Sequence, residues 1–335
     1  MVLGYKRFMT KASSRRLPGL EVLRLVAASC VLFLHALANY GGARWFGRGY
    51  LGVDFFLMLS GFLMTRVQED RLAQGLSPWS FMIKRYARLW PMMALGGLIG
   101  LPRLFIRDHS WWDALWVAAA NLALLPVPGH QFVTPLNVPA WTITCELICN
   151  CAHVFVLWRV RGKWLWLLLA ALLPLEIGIG VHFGYYNVGA QPANFVAGVV
   201  RTLFAYTLGI ALSRWWRDGV PFPAPWWLAL PLMPVLLVGA TWLGLWGWWY
   251  ELGFVLLACP LMIAGAIGLD RGHGVAEWMG RLSFPLFALQ MPILEGLRML
   301  HGTYWQAVGL AYVVSIIAAL WSFYAPRLRK SHTSM

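Results

Sequence analysis

Three ionisable side chains sit inside one apolar run: LEVLRLVAASCVLFLHAL, residues 20–37, carries Glu21, Arg24 and His35. Arg24 and His35 are eleven residues apart, which at ~100° and ~1.5 Å per residue makes about three helical turns and ~16 Å of rise. A helix here presents both on one stripe, with Arg24 nearer the cytoplasm and His35 in the outer half. An imidazole suits proton transfer near neutral pH, and a guanidinium fork suits phosphate or carboxylate. Lipid exposure of such groups is costly, so the stripe is expected to face a bundle interior or a watery cavity; the plainer alternative is a structural pair satisfied by neighbouring helices.

Four further segments supply candidate partners. YLGVDFFLMLSGFLM (50–64) carries Asp54, Ser60 and Gly61; FMIKRYARLWP (81–91) carries Lys84, Arg85 and Arg88 and is closed by Pro91; NVPAWTITCELICN (137–150) carries Trp141 and Glu146; RTLFAYTLG (201–209) buries Arg201. By depth, Glu146 is expected to meet His35 in the outer half and to hold its imidazolium, as an Asp does in hydrolase triads. Arg24, Arg85 and Arg88 are expected near the inner face. Each has a plainer reading: the basic cluster as a topology determinant, Trp141 as an interface-belt residue, Asp54 as a partner of Arg201 or a helix cap. Glu146 is harder to dismiss, because carboxylates in lipid are rare and usually functional. Cys145, Cys149, Cys151 and His153 resemble a metal set, but no second Cys/His group complements them, and small packing residues are the favoured reading.

Positioning these groups takes a membrane bundle. Of 335 residues, 60% are apolar, 21 are Trp and only 12% are charged, a composition too apolar for a water-soluble domain. The excess of 27 Lys and Arg over 13 Asp and Glu lies in short clusters between apolar runs, which fits cytoplasmic loops better than a nucleic-acid face. All five cysteines, including Cys30 and Cys259, fall in apolar segments, against a secreted disulfide framework. A basic leader (Lys6, Arg7, Lys11, Arg15, Arg16) precedes the first run, but that run is too long for a signal peptide and lacks a small-x-small cleavage site, so it reads as a retained span.

Apolar windows near the ~20 residues that cross a bilayer occur at 17–39, 50–67, 85–101, 139–158, 164–182, 194–213, 226–247, 251–269, 280–300 and 304–324. The shorter window 112–125 rises only ~21 Å as a helix against a ~30 Å hydrocarbon core, and reads as re-entrant. The basic clusters then fall on one side: the N-terminal tail, Arg66/Arg71/Lys84/Arg85, Arg159/Arg161/Lys163, Arg214/Arg217, Arg271 and Arg327/Arg329/Lys330. The opposite side keeps Arg44, Arg48, Arg103 and Arg107. The expected fold is an all-α polytopic membrane protein of about ten transmembrane helices with both termini cytoplasmic. Residues 1–16 form a basic tail, 17–325 one membrane domain without internal repeat, and 326–335 a second tail.

The ordered segments LEVLRLVAASCVLFLHA, GVDFFLMLSGFLM, FMIKRYARLWP, VPAWTITCE, RTLFAYTLG and MGRLSFPLFALQMPI resemble the membrane-bound acyltransferase 3 family over about residues 18–325. Members of that family O-acylate bacterial polysaccharides, antibiotics and related hydroxylated acceptors. The resemblance implies His35 as base, with Arg24 on the same helix, and Arg85 and Arg88 engaging the acyl-CoA donor. It also implies Glu146 as the glutamate following Trp141, with Thr142 in place of the usual Ser. Asp54, Ser60, Trp141 and Arg201 complete the expected substrate- and donor-binding set. Two departures stand out. LICN follows Glu146 where aromatic residues are usual, and Gln290 occupies the place of a family histidine, which weakens a catalytic role for its helix.

The expected function is a stand-alone membrane O-acetyltransferase of the bacterial inner membrane, using acetyl-CoA as donor substrate with no bound cofactor or metal. Its acceptor is expected to be a carbohydrate or glycolipid hydroxyl, and nucleic acid is not an expected partner. The alternative is a transporter or flippase of a sugar or anionic substrate, with His35, Glu146 and Arg201 on its path; the missing inverted repeat speaks against it. A catalytically inactive scaffold is a third reading, which Gln290 keeps open.

Overall fold

The computed structural model describes residues 17–41, 44–107, 110–217, 219–222, 224–269 and 272–332. The tail 1–16 and Arg271 lie outside the described residues, as do the side chains of Arg44, Arg103, Arg107, Arg327, Arg329 and Lys330. The chain runs through α1 (Pro18–Tyr40), α2 (Leu51–Ala73), α3 (Pro78–Arg107), α4 (Trp111–Leu122), α5 (Ala140–Leu157), α6 (Lys163–Phe183), α7 (Phe195–Trp215), α8 (Trp226–Trp242), α9 (Trp248–Ile267), α10 (His273–Met299) and α11 (Tyr304–His332). No strand occurs among the described residues.

Each of the ten apolar windows coincides with a helix, although 226–247 runs past the end of α8 at Trp242, and several helices outrun their windows because their charged ends continue the hydrogen-bond ladder. By length and composition, seven segments are able to cross a membrane: α1, α2, α5, α6, α9, Tyr304–Tyr324 of α11, and α7 with the turn before it (Pro192–Trp215). α8 is shorter, at 17 residues. α3 carries Lys84, Arg85 and Arg88, and α10 carries Glu277, Arg281, Glu295 and Arg298, which lowers their hydropathy.

Pro91 does not close the basic segment, since α3 runs through both Pro91 and Pro102. Proline removes one ladder bond, a loss that neighbouring helices help a membrane helix to absorb. In α9 one π-helical turn, Phe254–Ala258, directly precedes Cys259 and Pro260, where the missing proline N–H interrupts the normal ladder.

α4 folds back along α3. Trp90 Nε1 donates to Leu122 O at 2.8 Å and Tyr86 Oη to Ala123 O at 3.2 Å. Leu136 then lies against Gly100 before α5 begins. The chain therefore doubles back along α3 between the end of that helix and the start of α5. α2 and α7 pack backbone against backbone. A Cβ on Gly61 would lie 2.1 Å from Tyr206 O and one on Gly209 2.0 Å from Met58 O, so only glycine lets the two backbones touch.

Candidate active site

α2 carries three of the polar groups that organise the interior. Tyr50 stands at its start, Asp54 one turn on, and Ser60 further down, about 15 Å from Tyr50 at ~1.5 Å per residue. Each joins a different cluster.

At Ser60, the hydroxyl donates to Glu146 Oε1 at 2.7 Å, Arg85 donates to the same carboxylate oxygen, and Arg85 Nη2 also lies 3.3 Å from Ser60 Oγ. α2, α3 and α5 are thus tied by one partly buried ion pair. Arg24 pairs with Glu21 on its own helix at 3.2 Å. Arg88 lies within electrostatic reach of Arg85, Arg24, Glu146 and Glu21. Its side chain is exposed yet crowded by protein, as in a crevice between helices. Arg24, Arg85 and Arg88 therefore do gather in one place, and Arg88 alone of the three makes no ion pair among the described residues.

The expected contact between Glu146 and His35 is not made. The carboxylate is held by Arg85 and Ser60, while His35 Nδ1 is buried without a hydrogen-bond partner. The difference is one of charge: Glu146 ends beside a permanent cation and leaves the imidazole alone. Gln290 is fully buried, with its Nε2 only 3.4 Å from Phe287 O on its own helix and its Oε1 unpartnered.

Asp54 and Arg201 form a closed pair, as the plainer reading of Asp54 has it. Arg201 Nε donates to Oδ1 at 2.7 Å and Nη2 to Oδ2 at 2.5 Å, and both residues are 1% exposed. Two further guanidinium N–H groups reach Tyr50 O at 3.1 Å and Val188 O at 3.3 Å. With its donors engaged by protein, Arg201 fixes the start of α2 against the loop between α6 and α7.

Trp141 is not an interface-belt residue. It is 6% exposed, and its ring covers Gly189 and Gly198. Thr142 Oγ1 bonds to Pro139 O at 2.8 Å, within the first turn of α5. Cys145 and Cys149 are buried whereas Cys151 is exposed, and His153 faces Tyr206 Oη at 3.3 Å and Glu69 at 3.4 Å.

Two networks went unnoticed in the sequence. Glu69 is shared by Arg214 at 2.6 Å and by His153. Glu251 accepts from Tyr50 Oη and from the Tyr186 backbone N–H at 2.6 Å, with Arg48 Nε 3.6 Å away. Glu176, 1% exposed on α6, is a further buried carboxylate. In the loop beyond it, burial followed by the nearby charge of Glu176 pushes the Tyr186 phenol above its ordinary range, so it stays protonated and donates to Glu176 O at 2.9 Å. The rule that selected Glu146, a carboxylate inside an apolar run, also selects Glu176 and Glu251.

The chain matches the acyltransferase 3 model, an acyltransferase domain, over residues 17–325. It is 30% identical to protein 2 in the picA locus of Rhizobium radiobacter, in an alignment covering 46% of this chain and 88% of that protein. It is 23% identical to the O-acetyltransferase OatA of Staphylococcus aureus (strain NCTC 8325 / PS 47) across 87% of this chain. The second alignment covers 52% of OatA, so the chain spans about half of that relative's length. No solved structure matches it. With the match running from the start of α1 into α11, and through every helix that contributes to the arginine cluster, the chain belongs to the acyltransferase 3 family of membrane acyltransferases.

Proposed function

We propose that the protein is a bacterial inner-membrane O-acetyltransferase that moves an acetyl group from cytoplasmic acetyl-CoA to a hydroxyl of a cell-envelope or exported polysaccharide, or of its lipid-linked precursor. The observation that carries this reading is the convergence of Arg24, Arg85 and Arg88 on one partly accessible cluster, with Arg24 on the same helix as His35, a histidine with an unpartnered ring nitrogen. Coenzyme A brings several phosphate charges, and guanidinium groups suit them.

In this mechanism His35 takes the proton of the acceptor hydroxyl as its oxygen attacks the thioester carbonyl. The new C–O bond forms, the C–S bond breaks, and the imidazolium returns the proton to the leaving thiolate. Glu146 keeps Arg85 in place and, with Ser60, sets its direction. The proposed topology has ten spans with both termini cytoplasmic. It is supported by the fold-back of α4 and by the basic residues Arg159, Arg161, Lys163, Arg214 and Arg217, which cluster at the Glu69 end of the bundle.

The test uses membranes holding wild-type protein or His35→Ala, with radiolabelled acetyl-CoA and an extract of envelope glycans and lipids. Label should enter an acid-stable, alkali-labile product with wild type and fall at least ~100-fold with His35→Ala, in the range ascribed to general acid–base catalysis, at unchanged protein level. Undiminished transfer by the variant removes His35 from the mechanism.

A further inference from the structure

At the end of the bundle opposite Glu69 lies a cavity of about 480 Å³, inside the ~300–1,000 Å³ range of small-molecule sites. Its walls come from four distant parts of the chain: Arg48 and Tyr50 before α2, Phe132 between α4 and α5, Asn187 and Gln191 between α6 and α7, and Trp246 and Glu251 around the start of α9. None of these belongs to the arginine cluster, which α2 separates from the cavity by about 15 Å, ten residues at ~1.5 Å each.

The lining is built rather than incidental. Arg48 is 2% exposed, but its Nη1 has no hydrogen-bond partner. Its guanidinium lies 4.5 Å from the Trp246 ring centroid and 5.2 Å from that of Tyr250, which fixes its plane. Glu251 stands 3.6 Å from Arg48 Nε and is itself held by Tyr50 and Tyr186. Arg201 braces two walls at once through Tyr50 O and Val188 O. At the rim, the Asn187 side chain is exposed, and Trp246 keeps 57% of its surface open.

That chemistry selects a ligand class. The Arg48 charge is balanced by Glu251, so the cavity offers no surplus positive charge to a phosphate. It offers instead an aromatic ring, amide groups, and one buried donor still lacking an acceptor. An uncharged polyhydroxylated ring uses all three: its apolar face covers an aromatic ring while its hydroxyls donate and accept.

We infer that this cavity is the sugar-binding subsite for the acceptor, with Trp246 against a pyranose face and Asn187 and Arg48 Nη1 on its hydroxyls. The inference rests on the transferase reading above and gives its acceptor a place.

The probe is a soluble, labelled glycan fraction released from the host cell envelope, applied to purified full-length protein in nanodiscs. Binding is measured by equilibrium dialysis, and transfer is measured as a function of glycan and of acetyl-CoA concentration. Trp246→Ala and Asn187→Ala, both at the open rim, should each weaken glycan binding and raise the half-saturating glycan concentration at least ~10-fold, leaving half-saturation by acetyl-CoA unchanged; Trp246→Phe should retain most of the binding. Glycan affinity unchanged in both Ala variants overturns the subsite even when wild type transfers label. Trp246-dependent binding without transfer by wild type supports the subsite and overturns the transferase reading. Neither binding nor transfer by wild type overturns both.

Discussion

Two of the three arginines around the proposed donor site already have a carboxylate, Arg24 with Glu21 and Arg85 with Glu146, whereas Arg88 has none among the described residues. An ammonium or guanidinium with a resident counter-ion gains less from a phosphate than one without. Arg88→Ala is therefore expected to raise the KM for acetyl-CoA about 10- to 100-fold, the equivalent of one charge-assisted hydrogen bond of ~1.5–3 kcal/mol. Arg24→Ala is expected to do less, because it also releases Glu21. Steady-state kinetics with acetyl-CoA varied at saturating glycan checks the order; an unchanged KM in both variants returns the cluster to a purely topological role. At this scale the sequence shows residue types clearly and partners poorly. His35, Glu146 and the arginines stand out because each interrupts an apolar run. Which carboxylate meets which cation does not, since Asp54 reaches Arg201 across 147 positions and Tyr50 reaches Glu251 across 201. Depth alone pairs Glu146 with His35, and depth does not fix the direction in which a helix turns its side chains.

The α2–α7 contact is what keeps Asp54 opposite Arg201. A methyl group at Gly61 or Gly209 would run into backbone oxygen of the facing helix, which has no side-chain freedom with which to yield. Gly61→Ala is expected to destabilise the fold by at least the ~1–3 kcal/mol typical of overpacking, seen as a lower unfolding midpoint and reduced yield in detergent. Gly178→Ala, whose added Cβ meets nothing within 4 Å, serves as the control and should leave the midpoint in place; equal midpoints for both variants would show that the helices separate without cost. Helix positions were legible in the sequence because hydrophobic runs of membrane length have few other uses. Helix ends were not: α3 begins at Pro78 rather than 85 and passes through Pro91, and α10 begins at His273 rather than 280. Charged turns outside the apolar window continue a helix without announcing it by hydropathy.

For the molecule as a whole, the fold-back of α4 ties the loop 126–138 to the cavity end of the bundle, where Val133 N–H donates to Ala190 O at 2.9 Å and Phe132 lines the cavity. Single cysteines at Gly129 and Gln131, introduced with the exposed native Cys151 replaced, are expected to react with a membrane-impermeant thiol reagent added outside spheroplasts. Reaction only after permeabilisation would reverse the proposed orientation. The all-helical architecture was readable from composition, and the cavity was not, because its walls converge only after loops from four parts of the chain have folded together. The Asp54–Arg201 clasp has a consequence at this scale. Under the proposed arrangement a hydrophilic entrance opens at each end of the bundle, one for a phosphorylated donor and one for a sugar, and such a pair of entrances is an invitation to leak. A buried ion pair whose guanidinium nitrogens all donate to protein oxygens, set between the two, offers neither a mobile proton nor room for a hydrated ion. Under that arrangement the clasp keeps the two entrances from joining into one aqueous path.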